Sequence, residues 1–320
     1  MKTLISCSSP PSGERLGEGA VNRRRLEGEG VMMATILLMG SSYPIAKQVL
    51  VTMSPLIYSG SRYVVAGLFL LAVLIVMRKP IALPRRDWLP MLVLSVVGVG
   101  VFQAAWGFGM ARTPPSIGSI VMTTTTAFSA ILAWIGGRRL PALGWLGIGI
   151  AFAGVVIVVN NNLGRVTLQL DNASGALFWM LSAFAWALYV DRCTPYNGRL
   201  GNLRVIAWTT LVGGVLLTLL SLCFDSVAEF GRLSTAQWGY WLYTAIFPVG
   251  VAFLGLSFGF ERLGVSHTMV YMYLMPVAGV GLSAAVFGDP LTPARVLGGL
   301  IVLLGVILTR VALDRPARLR

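Results

Sequence analysis

Acidic residues are scarce in this chain of 320 residues: Asp and Glu together number 12 against 25 Lys and Arg. None falls inside a long apolar run, and Asp87, Asp191 and Glu261 sit at the ends of such runs. Buried carboxylates are the usual carriers of an intramembrane proton relay, so their absence argues against proton exchange through a buried acid. Histidine occurs once, at His267 near the end of an apolar run, a place that suits capping rather than proton carriage. The three cysteines, Cys7, Cys193 and Cys223, show neither metal nor redox spacing. No metal or cofactor is expected, and without a nucleophile–base constellation the chain does not read as an enzyme. No phosphate-binding glycine loop is present either, so ATP does not power it directly. Residues Met1–Gly30 lack the apolar run of a signal peptide. They read as a disordered cytoplasmic arm, or as an over-extended start with initiation near Met32 or Met33.

What the sequence does have is hydrophobicity. Apolar residues make up 56% and charged residues 12%, where a soluble domain carries roughly 25% charged. Runs of ~20 apolar residues, the length that crosses a bilayer as helix, recur at Val31–Leu50, Pro55–Met77, Trp88–Met110, Ser116–Ile135, Ala142–Val159, Ser174–Val190, Val205–Phe224, Gln237–Phe258, Val265–Phe287 and Ala294–Leu313. The expected fold class is therefore an all-α membrane protein of ten transmembrane helices. The net charge of +13 could suggest nucleic acid, but its distribution is topological. Arg23, Arg24, Arg25, Arg78, Lys79, Arg85, Arg86, Arg138, Arg139, Arg192, Arg199, Arg204, Arg262 and Arg310 fall on one side of the predicted spans, with the basic tail 314–320. Only Arg112, Arg165, Arg232 and Arg295 fall on the other. That bias places both termini in the cytoplasm. It predicts a multi-pass protein of the inner (plasma) membrane, with the lipid bilayer as a partner and no nucleic acid.

A segment closing each half of the chain recurs. Gly137–Val158 and Gly288–Thr309 align without a gap, pairing Gly137 with Gly288, Leu140 with Leu291, Gly147 with Gly298, Ile150 with Ile301 and Gly154 with Gly305. An odd number of predicted spans separates the copies, so the second must be upside down relative to the first, the architecture of a device that alternates between two sides. Weaker echoes pair Trp88 with Trp238, Gly100 with Gly250 and Thr126 with Pro276. The longest polar interruption, Asn160–Asn172, divides two five-span halves, 31–162 and 163–313. The small residues of the closing helices suit either a packing seam within the chain or a homodimer contact.

With these residues in view, the chain resembles the drug/metabolite transporter superfamily, specifically its ten-helix EamA family. The resemblance rests on Gly40, Ser41, Lys47, Pro55 and Arg62, on Trp186–Ala187, and on the Gly288–Thr292 turn with Gly298 and Gly305. The family pattern has Trp where this chain has Met39, and an acidic residue after the first repeat-closing glycine where this chain has Arg138. The resemblance implies two inverted five-helix repeats, a substrate path between them, and buttressing by spans five and ten. It implies transport of small metabolites, with export of an amino acid or related compound by alternating access as the leading expectation. An uptake permease for a small organic solute and a lipid-linked sugar flippase are the alternatives.

The residues themselves nominate a path. Lys47 and Arg62 are the cations within spans one and two, and each shares a helical stripe with polar or aromatic neighbours, Tyr43 with the first. Both could attract a carboxylate, although a place in the outer third of the membrane also allows them to snorkel to the interface. Gln103 and Trp106 share a face of span three, Thr123 and Thr126 lie on span four, and Trp186 and Tyr189 on span six. Tyr271 and Met275 share a face of span nine ahead of Pro276, the expected hinge. Aromatic and polar groups converging between helices suit a pocket for a small, partly apolar solute.

Overall fold

The structure is a computed structural model that describes residues 18–137, 140–161, 170–272 and 274–314. Among the described residues every regular element is helical. The helices are α1 (Glu18–Leu50), α2 (Pro55–Val76), α3 (Arg85–Arg112), α4 (Pro115–Ile135), α5 (Ala142–Asn160), α6 (Leu170–Leu200), α7 (Asn202–Ser221), α8 (Thr235–Gly259), α9 (Met275–Phe287) and α10 (Pro293–Asp314). Proline supplies the first turn of α2, α4 and α9, where its missing N–H is no loss. Ser234 and Gln237 form a capping box that starts α8.

Eight of these helices are long and apolar enough to cross a membrane; α1 and α9 are not among them. Helix α1 opens on a charged stretch and is helical from Glu18, upstream of the expected start at Val31. Helix α9 has 13 residues, because the region expected as one span from Val265 is divided. Helical geometry runs on from α8 through Met272, and a new helix starts at Met275 with Pro276 in its first turn. The continuation is bent. A Cβ on Gly259 would lie 3.2 Å from Thr268 Cγ2, whereas nine residues of straight helix rise about 13.5 Å. The side chain of His267, residues 1–17, Arg138, Arg139 and the tail beyond Asp314 lie outside the described residues.

Glycine dictates the closest helix pairs. A Cβ on Gly147 would stand 2.7 Å from Gly305 O, and one on Gly305 2.6 Å from Gly147 O. Gly154 and Gly298 face each other's carbonyls in the same way, at 2.8 and 3.0 Å. Partner numbers fall on one helix as they rise on the other, so α5 and α10 run antiparallel through the two copies of the recurring segment. Gly60 against Thr218 and Gly67 against Leu211 set the same antiparallel relation for α2 and α7. The small-residue seam is thus filled within the chain and is not left for a second copy.

The remaining packing is crossed. Helix α1 packs on α8 and α9, while α6 packs on α3 and α4, so the first helix of each half lies in the other half. Two irregularities also recur at one offset. Helix α3 holds a π-helical segment at Val96–Val101 and α8 holds one at Ile246–Val251. Helix α4 tightens to a 3₁₀ turn at Met122–Thr124, and the break before Met275 falls at the corresponding place, where Leu274 N–H bonds back to Tyr271 O.

Candidate functional site

Arg62 sits at the centre of the site. Helix α2 holds it 2% exposed, so it does not snorkel: it points into the bundle between α2 and α3. Its guanidinium donates to Gln103 Oε1 at 2.7 Å and to the Tyr58 hydroxyl at 3.2 Å. The faces of Trp106, Tyr58 and Tyr63 lie 4.7, 4.8 and 5.3 Å from its central carbon. No carboxylate pairs with it among the described residues, and its Nε is buried without an acceptor. Desolvating a cation costs several kcal/mol unless it is paired, and cation–π contacts with amide and phenol oxygens offset only part of that.

The neighbours are themselves fixed. Gln103 donates its amide to the Tyr63 hydroxyl at 2.7 Å, which leaves its carbonyl oxygen to face Arg62. The Tyr58 hydroxyl donates to Thr244 Oγ1 of α8 at 3.1 Å, and Thr244 donates to Trp241 O. The network therefore runs from one half of the chain into the other. Tyr43, Trp106 and Trp179 stack beside it with ring centroids 5.5–5.8 Å apart. Glycines at 109 and 118 leave the space that Trp179 fills.

Lys47 does something else. Its Nζ donates to the carbonyls of Met110, Ala111 and Thr113 at 2.6, 3.0 and 3.2 Å. These are the unpaired acceptors at the end of α3, and a cation there also meets the negative end of the helix dipole. Lys47 and Arg62 lie on similar polar stripes, yet the structure makes Lys47 a helix cap. Trp186 and Tyr189 lie apart from both, in a patch with Phe102 and Phe253. The Trp186 and Phe253 rings are parallel at 6.3 Å, Phe102 meets Trp186 across the halves at 4.9 Å, and the Tyr189 hydroxyl bonds Thr209 Oγ1. Tyr271 and Met275 pack on the cluster around Met39 and Tyr63. Thr123 and Thr126 are half-buried on α4, and Thr123 bonds the Ile120 carbonyl in its own helix.

The open space lies elsewhere. A cavity of about 770 Å³ enters the basic end of the bundle between α1, α2, the α6–α7 turn and α8. Thr35, Leu38, Leu203, Leu254, Asn202 and Ser257 are among its walls, with Lys79 and Arg204 at its rim. None of the eleven residues nominated from sequence lines it. Apart from Thr35 in the middle of α1, its polar residues sit near helix ends, where the sequence marks only a topological charge bias. Above it Tyr63, Trp186, Tyr189 and Phe253 surround a void of about 10 Å³, so Tyr63 stands between the cavity side and the Gln103–Arg62 pair.

At the opposite end hydrogen bonds tie the halves together. Glu229 accepts from the Ser54 N–H and hydroxyl at 2.8 and 2.7 Å. Gln237 donates to Gln48 O and Thr52 Oγ1. At the turn after α9, Arg295 donates to Asp289 at 2.7 Å, and the Ser116 N–H and Ser283 hydroxyl reach the other carboxylate oxygen. Burial pushes the Asp289 carboxyl up, but the Ser116, Arg295 and Ser283 contacts outweigh it and hold the group below the usual carboxylate range. Among the described residues no cluster of His, Cys, Asp and Glu could hold a metal ion.

Known proteins share this architecture. The chain is 27% identical to the "Uncharacterized transporter YyaM" of Bacillus subtilis over 87% of its length and 91% of the relative's. It is 25% identical to the "Uncharacterized inner membrane transporter YedA" of Escherichia coli K12, over 88% and 90%. One solved crystal structure superposes with a TM-score of 0.64 at 17% identity, covering 90% of this chain and 97% of its own, which speaks to fold alone. The description "EamA-like transporter family" matches twice, at residues 26–160 and 173–311. With both halves matched, the chain belongs to the EamA-like transporter family, and it is a multi-pass membrane transporter.

Proposed function

We propose that the protein moves a small metabolite, an amino acid or a related compound, out of the cell by alternating access between two inverted five-helix repeats at about 31–162 and 163–313. The observation that carries this reading is the asymmetry of the two ends. A 770 Å³ cavity opens between helices of both halves at the basic end, while hydrogen bonds tie the halves together at the other. The positive-inside bias makes the open end cytoplasmic, as expected of an exporter waiting for cargo. The antiparallel course of the recurring segments and the irregularities shared at one offset support inversion of the repeats. Pro276, at the start of α9, is the hinge we assign.

The test uses liposomes and a background with Cys7, Cys193 and Cys223 replaced. Ser257→Cys should react with a membrane-impermeant maleimide from the cytoplasmic side, and a cysteine in place of Glu229 from the opposite side. Vesicles loaded with labelled amino acids should show counterflow. Labelling of both positions from one side, or no flux of any amino acid or related metabolite tested, would overturn the reading.

A further inference from the structure

We infer that Arg62 is an anion-binding site that recognises the single carboxylate of a cargo with an apolar or aromatic body. The inference rests on the transporter reading and names the class of substrate. Four observations carry it. The guanidinium is buried and paired only with neutral oxygens, Gln103 Oε1 and the Tyr58 hydroxyl. Its Nε has no acceptor although no solvent reaches it. Its surroundings are aromatic faces, from Trp106, Tyr58 and Tyr63. The groups it does touch are also tied onward: Tyr58 to Thr244 in the other half, and Gln103 to Tyr63 beside the small void.

The chemistry follows from these positions. A guanidinium is a fixed, planar fork whose donors match the two oxygens of a carboxylate. Here one fork position is spent on an amide carbonyl that a carboxylate could replace, and Nε is spare. One guanidinium matches one carboxylate. The aromatic walls favour an apolar body, and an ammonium group on the same cargo would rest on ring faces. Lys47 is not a rival site, because three carbonyls already occupy its donors.

Gln103→Glu makes the inference testable, since it places a built-in carboxylate against the guanidinium, at the atom now 2.7 Å away. The probes are phenylacetate, 4-methylvalerate, L-phenylalanine and L-leucine, each paired with its isosteric primary amide. The readout is the thermal unfolding midpoint of the purified full chain in detergent. Wild type should be shifted upward by at least one acid and at least tenfold less sensitively by its amide. Arg62→Gln should lose the acid response. Gln103→Glu should unfold at a higher temperature than wild type without ligand and respond to no acid, while Gln103→Leu, which supplies no charge, should keep a response to acids. Should Arg62→Gln not fold, the two Gln103 variants decide alone. Equal shifts by acids and amides, no shift by any of the four acids, or a preserved acid response in Gln103→Glu would each overturn the inference. Flux of amides or other neutral solutes in liposomes would still leave the transporter reading standing.

Discussion

Replacing Gly305 by alanine adds one methyl group at the tightest point of the α5–α10 contact. That Cβ would sit 2.3 Å from Ala151 N, 2.6 Å from Gly147 O and 2.8 Å from Ala151 Cα. All three are backbone atoms, so no side chain can rotate away, and the helices must part by about 1 Å to restore van der Waals contact. Such a gap forfeits a quarter to a half of each dispersion well along the seam. It would be felt where Gly298 meets Val158 and where Gly154 meets Val302. Overpacking of this kind costs about 1–3 kcal/mol, which lowers the unfolding midpoint. Gly149, on the same helix as Gly147, has no atom within 4 Å of its added Cβ, and Gly149→Ala should gain up to about 1 kcal/mol of helix propensity. The assay is thermal unfolding in detergent followed by tryptophan fluorescence. Gly305→Ala should fall by several degrees while Gly149→Ala holds or rises. Equal midpoints for the two would refute the seam as drawn.

Two further outcomes follow from the site. Lys47→Met removes three charge-assisted bonds to the end of α3; it should destabilise the chain by about 2 kcal/mol, lowering the midpoint while the discrimination between acids and amides survives. Asp289 is held below the ordinary carboxylate range, so its stabilising effect is complete above the unfolded value of about 3.9 and disappears as pH falls through the lower folded value. Asp289→Asn should therefore be less stable than wild type at neutral pH, and the difference should shrink in midpoints measured below about pH 4.

Much of this architecture is legible in the residues because lipid leaves so few options. Backbone groups must be satisfied within the helix, so the apolar runs read directly as spans, and the turn at Arg112–Pro115 falls where the sequence sets it. The glycines at 147, 154, 298 and 305 read as a close-packed stripe, and the structure supplies only the partner. The ninth span is not legible. Its polar residues, Ser266, His267 and Thr268, cluster at its start, so hydropathy carries no mark of a division just before Met275, with Pro276 as the one hint. Arg62 and Lys47 look alike for a related reason: stripe position reports a face, not a partner. Which one finds carbonyls at a helix end, and which is left among rings and an amide, depends on the crossing of α1, α2 and α3. The cavity leaves no trace in the sequence because its lining is mostly apolar helix surface with a few polar residues, Asn202 and Ser257 among them, paired to each other at 2.9 Å.

The π-helical turns at Val96–Val101 and Ile246–Val251 bear on ancestry as well as shape. A π turn accommodates one residue more than an α-helix would hold over the same rise, and it survives mostly where it serves a purpose. Two unrelated insertions landing at matching points of two helices would be a coincidence. One insertion already present in a shorter forebear, copied when the gene doubled, explains both, even though Pro248 now occupies one descendant and Gly98 the other.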